Sequence, residues 1–271
     1  MTKLHEITQA IEAAAPLALQ EPWDNSGWQI APLGTDAACT GVLLCLDVTP
    51  AAVAEAVGRG CNLVISHHPL IFKGPKQIVS APDASPQTLA IIDAIRAGVA
   101  VYSSHTALDN APSGPSAWLA SRLGLRDVSV LSPSSPGAAS GLGLVGSLPE
   151  PCTLEGFMSL VRLVYGGPVG FTPGPCGGES QIRRVALCSG SGGEFIPLAL
   201  RAGADAYITS DIRYHDLLDW GTRIILADTG HYESEICTKS IFSAIISEKF
   251  PNFALHMCHS ERSPLLTHVQ D

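Results

Sequence analysis

Short apolar runs that end in polar tips recur along this chain, separated by stretches of helical periodicity. Gly41-Val42-Leu43-Leu44-Cys45-Leu46-Asp47 reads as a buried strand. Thr49-Pro50 follows as an N-cap and first-turn proline, opening an alanine-rich amphipathic helix to Val57 that Gly58-Arg59-Gly60 closes. Asn62 to Ser66 then form the next strand, which completes a β-α-β unit. Such crossovers are right-handed and parallel, so both strands end at one edge of the sheet, where open α/β sheets bind ligands. His67 and His68 stand at that edge. After a loop through Lys73-Gly74-Pro75, a helix from Ser85-Pro86-Gln87 to Arg96 leads into the strand Val99 to Ser104, and His105 follows its carboxyl end.

The second half repeats this order. Sliding the sequence on itself so that Val42-Leu43-Leu44-Cys45 falls on Val185-Ala186-Leu187-Cys188 also places, without a gap, Gly60 on Gly203, Ile65 on Ile208 and Ser66 on Thr209. Tyr207-Ile208-Thr209-Ser210-Asp211 then answers the strand ending at His67, and Ile224 to Thr229 the one ending at His105. The expected fold is α/β, two similar lobes with a ligand site in the cleft between them. Pro-, Gly- and Ser-rich stretches at Leu131–Gly137 and Thr172–Gly178 bracket a middle segment with a helix-like Thr153 to Val164. They place the lobe boundary near residue 131, giving lobes of 1–130 and 131–271.

With 271 residues, 46% of them hydrophobic, the chain can bury a sizeable core. Its net charge of -9 provides no basic surface for a phosphate backbone, which disfavours nucleic acid as a partner. The helix-like Leu4 to Leu19 carries His5, Glu6 and Glu12 and lacks the pattern of a signal peptide, and no apolar run approaches the ~18 residues of a membrane span. A cytoplasmic location is expected. The eight cysteines, at 39, 45, 61, 152, 176, 188, 237 and 258, form no Cys-x-x-Cys pair and read as small buried apolar residues.

The candidate chemistry lies at the polar tips. His231 to Ser247 reads as one helix, so His231 and Glu235, four apart, share a face and can reach one ion. His67 and His68 are adjacent and approach from different directions, which suits two ions better than one. Imidazole and carboxylate are donors for zinc, iron or manganese, and a carboxylate can bridge two cations ~3.5–4 Å apart. Glu235 is the expected bridge and Asp109 a terminal ligand; Asp109 has a second reading as a cap of the turn at Asn110–Gly114. His105 reads as a ligand or as a partner that orients one. His215 reads as a proton-transfer group or as a helix-start histidine satisfied by Asp211, His256 and His259 as structural, and His5 and His268 as solvated. Asp24 and Asn25 sit in Trp23-Asp24-Asn25-Ser26-Gly27, a tight turn or a wall that bonds substrate, and Ser189 to Glu194 reads as an anion-cradling loop or a plain glycine connection.

Trp23-Asp24-Asn25-x-Gly27, Ser66-His67-His68-Pro69, His105-Thr106-x-Leu108-Asp109, Ser210-Asp211-x-x-Tyr214-His215 and Gly230-His231-Tyr232-x-Ser234-Glu235 together resemble the GTP cyclohydrolase I type 2 homologues, also called the Ngg-interacting-factor-3-like dinuclear metal proteins. The motifs span nearly the whole chain; one departure is Ser210, where many relatives have glycine. The resemblance implies two divalent ions held by His67, His68, Asp109, His231 and Glu235, with His105 close by, in a hexameric ring built as a trimer of dimers. It implies the compact form, without a further domain inserted between the lobes. The implied activity is a dinuclear metal-dependent hydrolase acting on a small molecule, opening of the GTP imidazole ring by the family's name. For such a reaction the expected catalytic groups are Glu235 as the bridge and His215 or His105 as the proton shuttle. The alternative is a non-catalytic metal-binding scaffold, storage or regulatory protein.

Overall fold

The computed structural model describes residues 1–175 and 181–264, so Cys176, His268 and the end of the Thr172–Gly178 stretch lie outside it. The chain divides into two compact units. The first comprises Met1–Ala111 and Thr238–Arg262, and Pro112–Cys237 belongs to the second.

The first unit holds α1 (Leu4–Ala14), β1 (Gly27–Ile30), β2 (Val42–Cys45), α2 (Pro50–Gly58), β3 (Leu63–Ser66), α3 (Pro86–Ala97), β4 (Ala100–Ser103) and α4 (Thr106–Asp109), then α10 (Thr238–Lys249) and β11 (Leu255–Met257). Its sheet runs β1-β4-β3-β2-β11, parallel throughout except for the antiparallel β1. The expected caps are present: Thr49 accepts from the Ala52 N–H, and Ser85 from the Thr88 N–H. Because alternate strand residues face opposite sides, Leu43, Cys45, Val64 and Val101 pack on Val53, Ala56, Ile91 and Ala94 of α2 and α3. Val42, Leu44, Leu63 and Ile65 are equally buried on the other face, the side of α1 and α10. Both faces are covered, so these strands show no polar alternation.

The second unit holds α5 (Pro115–Arg122), β5 (Arg126–Pro133), β6 (Gly141–Cys152), α6 (Leu154–Tyr165), β7 (Gly170–Phe171), β8 (Ile182–Ser191), α7 (Ile196–Arg201), β9 (Ala206–Ser210), α8 (Tyr214–Trp220), β10 (Ile225–Asp228) and α9 (His231–Glu235). Its sheet runs β5-β6-β8-β9-β10-β7. Val185 and Leu187 pack with Phe157 and Val161 of α6 on one face, Ala186 and Tyr207 with Ile196 and Ala199 of α7 on the other.

The internal repeat is visible in the pairings. In each unit three consecutive parallel strands, β2-β3-β4 or β8-β9-β10, are flanked by an antiparallel strand that precedes them in the chain, β1 or β7. The elements that follow each triplet go to the other unit: α5 and β5 follow α4 but belong to the second unit, and α10 and β11 follow α9 but belong to the first.

Several boundaries differ from those read in the sequence. Residue 131 lies inside β5, paired to β6, and the chain changes units at Ala111 and Pro112 instead. Leu4 to Leu19 is not one helix: α1 ends at Ala14 and Pro16 opens a separate turn of 3-10 helix at Leu17–Leu19. His231 to Ser247 is likewise divided at Ile236 and Cys237, because α9 packs in one unit and α10 in the other. The described cysteines are free thiols, all buried apart from the half-buried Cys152, and burial pushes the Cys39 thiol up to about 12. Among the described residues no helix is long and apolar enough to cross a membrane.

Candidate functional site

In the first unit, β2, β3 and β4 run parallel and deliver their carboxyl ends to one edge. His67 and His68 follow β3 directly, and His105 follows β4 as the residue before α4. The three rings lie 5.1, 5.2 and 5.5 Å apart between centroids, and each offers a nitrogen within 4.8 Å of the others. Asp109 closes the single turn of α4 and brings Oδ1 to 3.6 Å from His67 Nε2.

Every one of these imidazoles is held at Nδ1. His67 donates to the Ser104 carbonyl at 3.0 Å, His68 to Asp47 Oδ1 at 2.8 Å and His105 to Asp24 Oδ1 at 2.8 Å. An acceptor at Nδ1 fixes the tautomer and leaves the Nε2 lone pair as the ligand atom, the arrangement typical of metal-bound histidine. The Asp24 side chain is fully buried and also accepts from the Asn25 N–H, the Thr106 N–H, the Thr106 hydroxyl and the Ser26 hydroxyl. Burial alone would raise its pKa, but the hydrogen bonds from His105 and Thr106 outweigh that and hold the carboxyl well below the usual range.

In the second unit, His231 opens α9 after Gly230, whose φ of 75° lets the chain turn sharply out of β10. His231 Nδ1 donates to Asp211 Oδ2 at 2.6 Å, and its Nε2 lies 3.0 Å from Oε2 of Glu235, one turn further on. Glu235 is buried against Gly190 at the end of β8; a Cβ at Gly190 would collide with its carboxylate, and φ there is +65°. Ser234 ties the two elements together: its hydroxyl donates to the His231 carbonyl and accepts the Gly190 N–H.

These donors fit a divalent cation. Once Nδ1 is the donor, His67 Nε2 and His231 Nε2 are acceptors, yet each faces a carboxylate oxygen, which is also an acceptor when ionised. Two converging acceptors, buried at His67 and Asp109 and part-exposed at His231, are stabilised by a shared cation, and the imidazole and carboxylate set suits zinc, iron or manganese.

The placement of the expected residues is therefore clear within each unit. His67, His68, His105 and Asp109 cluster in the first, and His231 with Glu235 in the second. His215 is exposed at the start of α8 with its ring edge-on to Tyr214, and Asp211 serves His231. Asp24 binds His105 and Thr106, and Asn25 donates to the Ile71 carbonyl. Ser189 to Ser191 continue β8, with Gly190 against a carboxylate. His5 is half-buried and bonded to the Thr35 carbonyl, where a solvated side chain was expected. The sequence reading missed Asp47 as the partner of His68, although Asp47 stands at a strand's carboxyl end like the histidines.

A family model for Duf34/NIF3 (NGG1p interacting factor 3) matches residues 2–264. The chain belongs to this family. Among curated relatives it is 34% identical over 248 residues to the "GTP cyclohydrolase 1 type 2 homolog" of Streptococcus pneumoniae, covering 90% of this chain and 89% of that protein. It is 35% identical over 239 residues to the Nostoc protein of the same name, covering 86% and 87%. Among solved structures, a hypothetical protein of Staphylococcus aureus superposes with a TM-score of 0.86 at 27% identity, over 98% of this chain and 99% of that one. A Bacillus cereus protein related to NIF3 shares the fold, with a TM-score of 0.85 at 23% identity over 98% and 99% of the chains.

Proposed function

We propose that this chain is a dinuclear metal-dependent hydrolase in which His67, His68, Asp109, His231 and Glu235 hold two divalent ions, with Glu235 as the bridge. The observation that carries the reading is the pattern at the imidazoles. His68, His105 and His231 each give Nδ1–H to an aspartate, and His67 and His231 each turn Nε2 toward a carboxylate oxygen. A carboxylate or carbonyl at one ring nitrogen is the usual outer partner of a metal-ligating histidine, because it fixes the tautomer and raises the basicity of the other nitrogen.

Bound divalent ions would supply Lewis acidity for water activation and for polarising a carbonyl, imidazole or phosphoryl centre. This chain's own residues do the rest. Asp47, Asp24 and Asp211 hold their imidazoles in one tautomer. His105, backed by Asp24 and flanked by the exposed rings of Trp23 and Phe72 at 6.1 Å, is placed to move a proton at Nε2 beside a substrate. His215, exposed on α8, is the second candidate for that role. The name shared by the curated relatives makes opening of the GTP imidazole ring the first reaction to try. The proposed assembly is a homohexameric ring, to be checked by light scattering.

The test is mass-spectrometric analysis of GTP incubated with protein of measured metal content, beside Asp109→Ala. A ring-opened product that retains the formyl group, or release of formate, lost in the variant, is the expected result. Intact GTP would remove GTP as the substrate, and wild-type protein without stoichiometric divalent metal would remove the metal centre itself.

A further inference from the structure

The Cys258–Glu261 segment, which follows β11, reaches the metal-ligand edge of the first unit. Cys258 donates its N–H to the Leu44 carbonyl, and the Glu55 carboxylate on α2 accepts the N–H groups of His259 and Ser260 at 2.9 and 2.8 Å. Held in this way, the segment delivers Glu261. Its Oε1 accepts the N–H of Leu46 at 2.7 Å and that of Asp47 at 2.8 Å, and its Oε2 pairs with Lys239 Nζ at 2.9 Å. Lys239, on α10, also donates to the Cys258 carbonyl. The Lys239 and Glu261 side chains are only 12% and 6% exposed, so this pair is not one of the loose surface contacts that contribute little.

The two peptides that Glu261 grips are those that set His68. Leu46 accepts the His68 N–H at its carbonyl at 3.0 Å, and Asp47 accepts the His68 ring N–H at 2.8 Å. The backbone and the ring of His68 are thus both referred to a turn that one buried carboxylate holds. Asp47 itself is exposed, with 53% of its side chain accessible, and lies beyond the end of β2, outside the sheet's own hydrogen bonding.

We propose that Glu261 is a positioning residue for His68: clamped by Lys239, it fixes the Leu46–Asp47 turn so that Asp47 holds the imidazole with Nε2 as the ligand atom. Its bearing on metal binding rests on the function proposed above; its effect on the ring does not. His105 stands edge-on to His68 but takes its tautomer from Asp24, which Glu261 does not hold, so that tautomer serves as an internal control.

The experiment is long-range nitrogen–proton correlation of the histidine rings in metal-free Glu261→Ala at about pH 8, above the ordinary histidine pKa, followed by calorimetric titration with Zn²⁺. The expected result is a wild-type His68 protonated at Nδ1, a mixture of tautomers at His68 in the variant, an unchanged His105, and Zn²⁺ binding weakened about tenfold, the lower end of the range for groups that orient a ligand. If Ala at 261 prevents folding, Glu261→Asp carries the same test, because it keeps the charge beside Lys239 and withdraws the carboxylate by one methylene. An unchanged His68 tautomer overturns the proposal, and so does a shift shared by His105, which would mark general loosening. The ring measurement needs no metal, so a wild-type protein that bound no Zn²⁺ would end the hydrolase reading and leave this inference standing.

Discussion

The two units use one arrangement of three parallel strands and end them in different chemistry. By strand register, the position after β3 is His67 in the first unit and Ser210 after Thr209 in the second; His68 answers to Asp211, and His105 to Gly230. The first unit concentrates imidazole, and its orienting carboxylates come from elsewhere, Asp24 before β1 and Asp47 after β2. In the second unit the carboxylate stands at the strand tip as Asp211, and the imidazole it orients is His231. The comparison teaches that the repeated scaffold preserves a carboxylate–imidazole pair at the sheet edge while letting the two partners exchange places.

The pairs differ most in burial, and that difference orders the expected effects. The Asp24 side chain is fully buried and serves five donors, so Asp24→Ala strands buried partners and is expected to cost about 3–5 kcal/mol. Urea unfolding measures it, and a loss below about 1 kcal/mol, the level of an exposed pair, would erase the distinction from the half-exposed Asp47 and Asp211. Gly190→Ala probes the second unit, where a Cβ meets the Glu235 carboxylate at a backbone angle that disfavours side chains. The expected cost is about 1–3 kcal/mol, with Zn²⁺ binding weakened at least tenfold in the same titration. Unchanged binding would show that Glu235 is free to move.

The smallest effect concerns the clamp of the first unit. Burial would raise the Glu55 pKa, but the N–H groups of Ser260 and His259 outweigh it and lower the value from 4.5 to about 2. A depressed carboxyl stabilises the fold fully above its unfolded pKa, and that contribution is lost as pH falls from 4.5 to about 2. Melting temperatures of Glu55→Gln should therefore fall less steeply than those of the wild type across this window. Parallel curves would mean the Glu55 bonds are not kept in solution.

What the sequence reveals of this molecule is what is local. Thr49-Pro50 and Ser85-Pro86 announce helix starts through caps a few residues away, and apolar runs with polar tips announce strands whose ends share an edge. His67, His68 and His105 stand out because they follow such runs. The split of α9 from α10 is not announced, since no Gly or Pro marks Ile236-Cys237, and the break arises from two helices serving two cores. Nor is Glu261, whose partners Leu46 and Asp47 are distant in the chain and whose role depends on β11 returning to β2. The boundary near residue 131 failed for a related reason: Pro and Ser at 132–136 mark the turn of a hairpin within a unit.

That return sets a timetable for synthesis. Val42 of β2 pairs with Leu255 of β11, and the second unit's own strands lie in between. At roughly 5–20 residues per second, a ribosome needs on the order of 10–40 s to make the partner that β2 awaits. Through that interval the first unit has a sheet with an open edge, whereas the last described strand of the second unit's sheet ends at Asp228, before α10 and β11 are made. The half that emerges first is the half that finishes last.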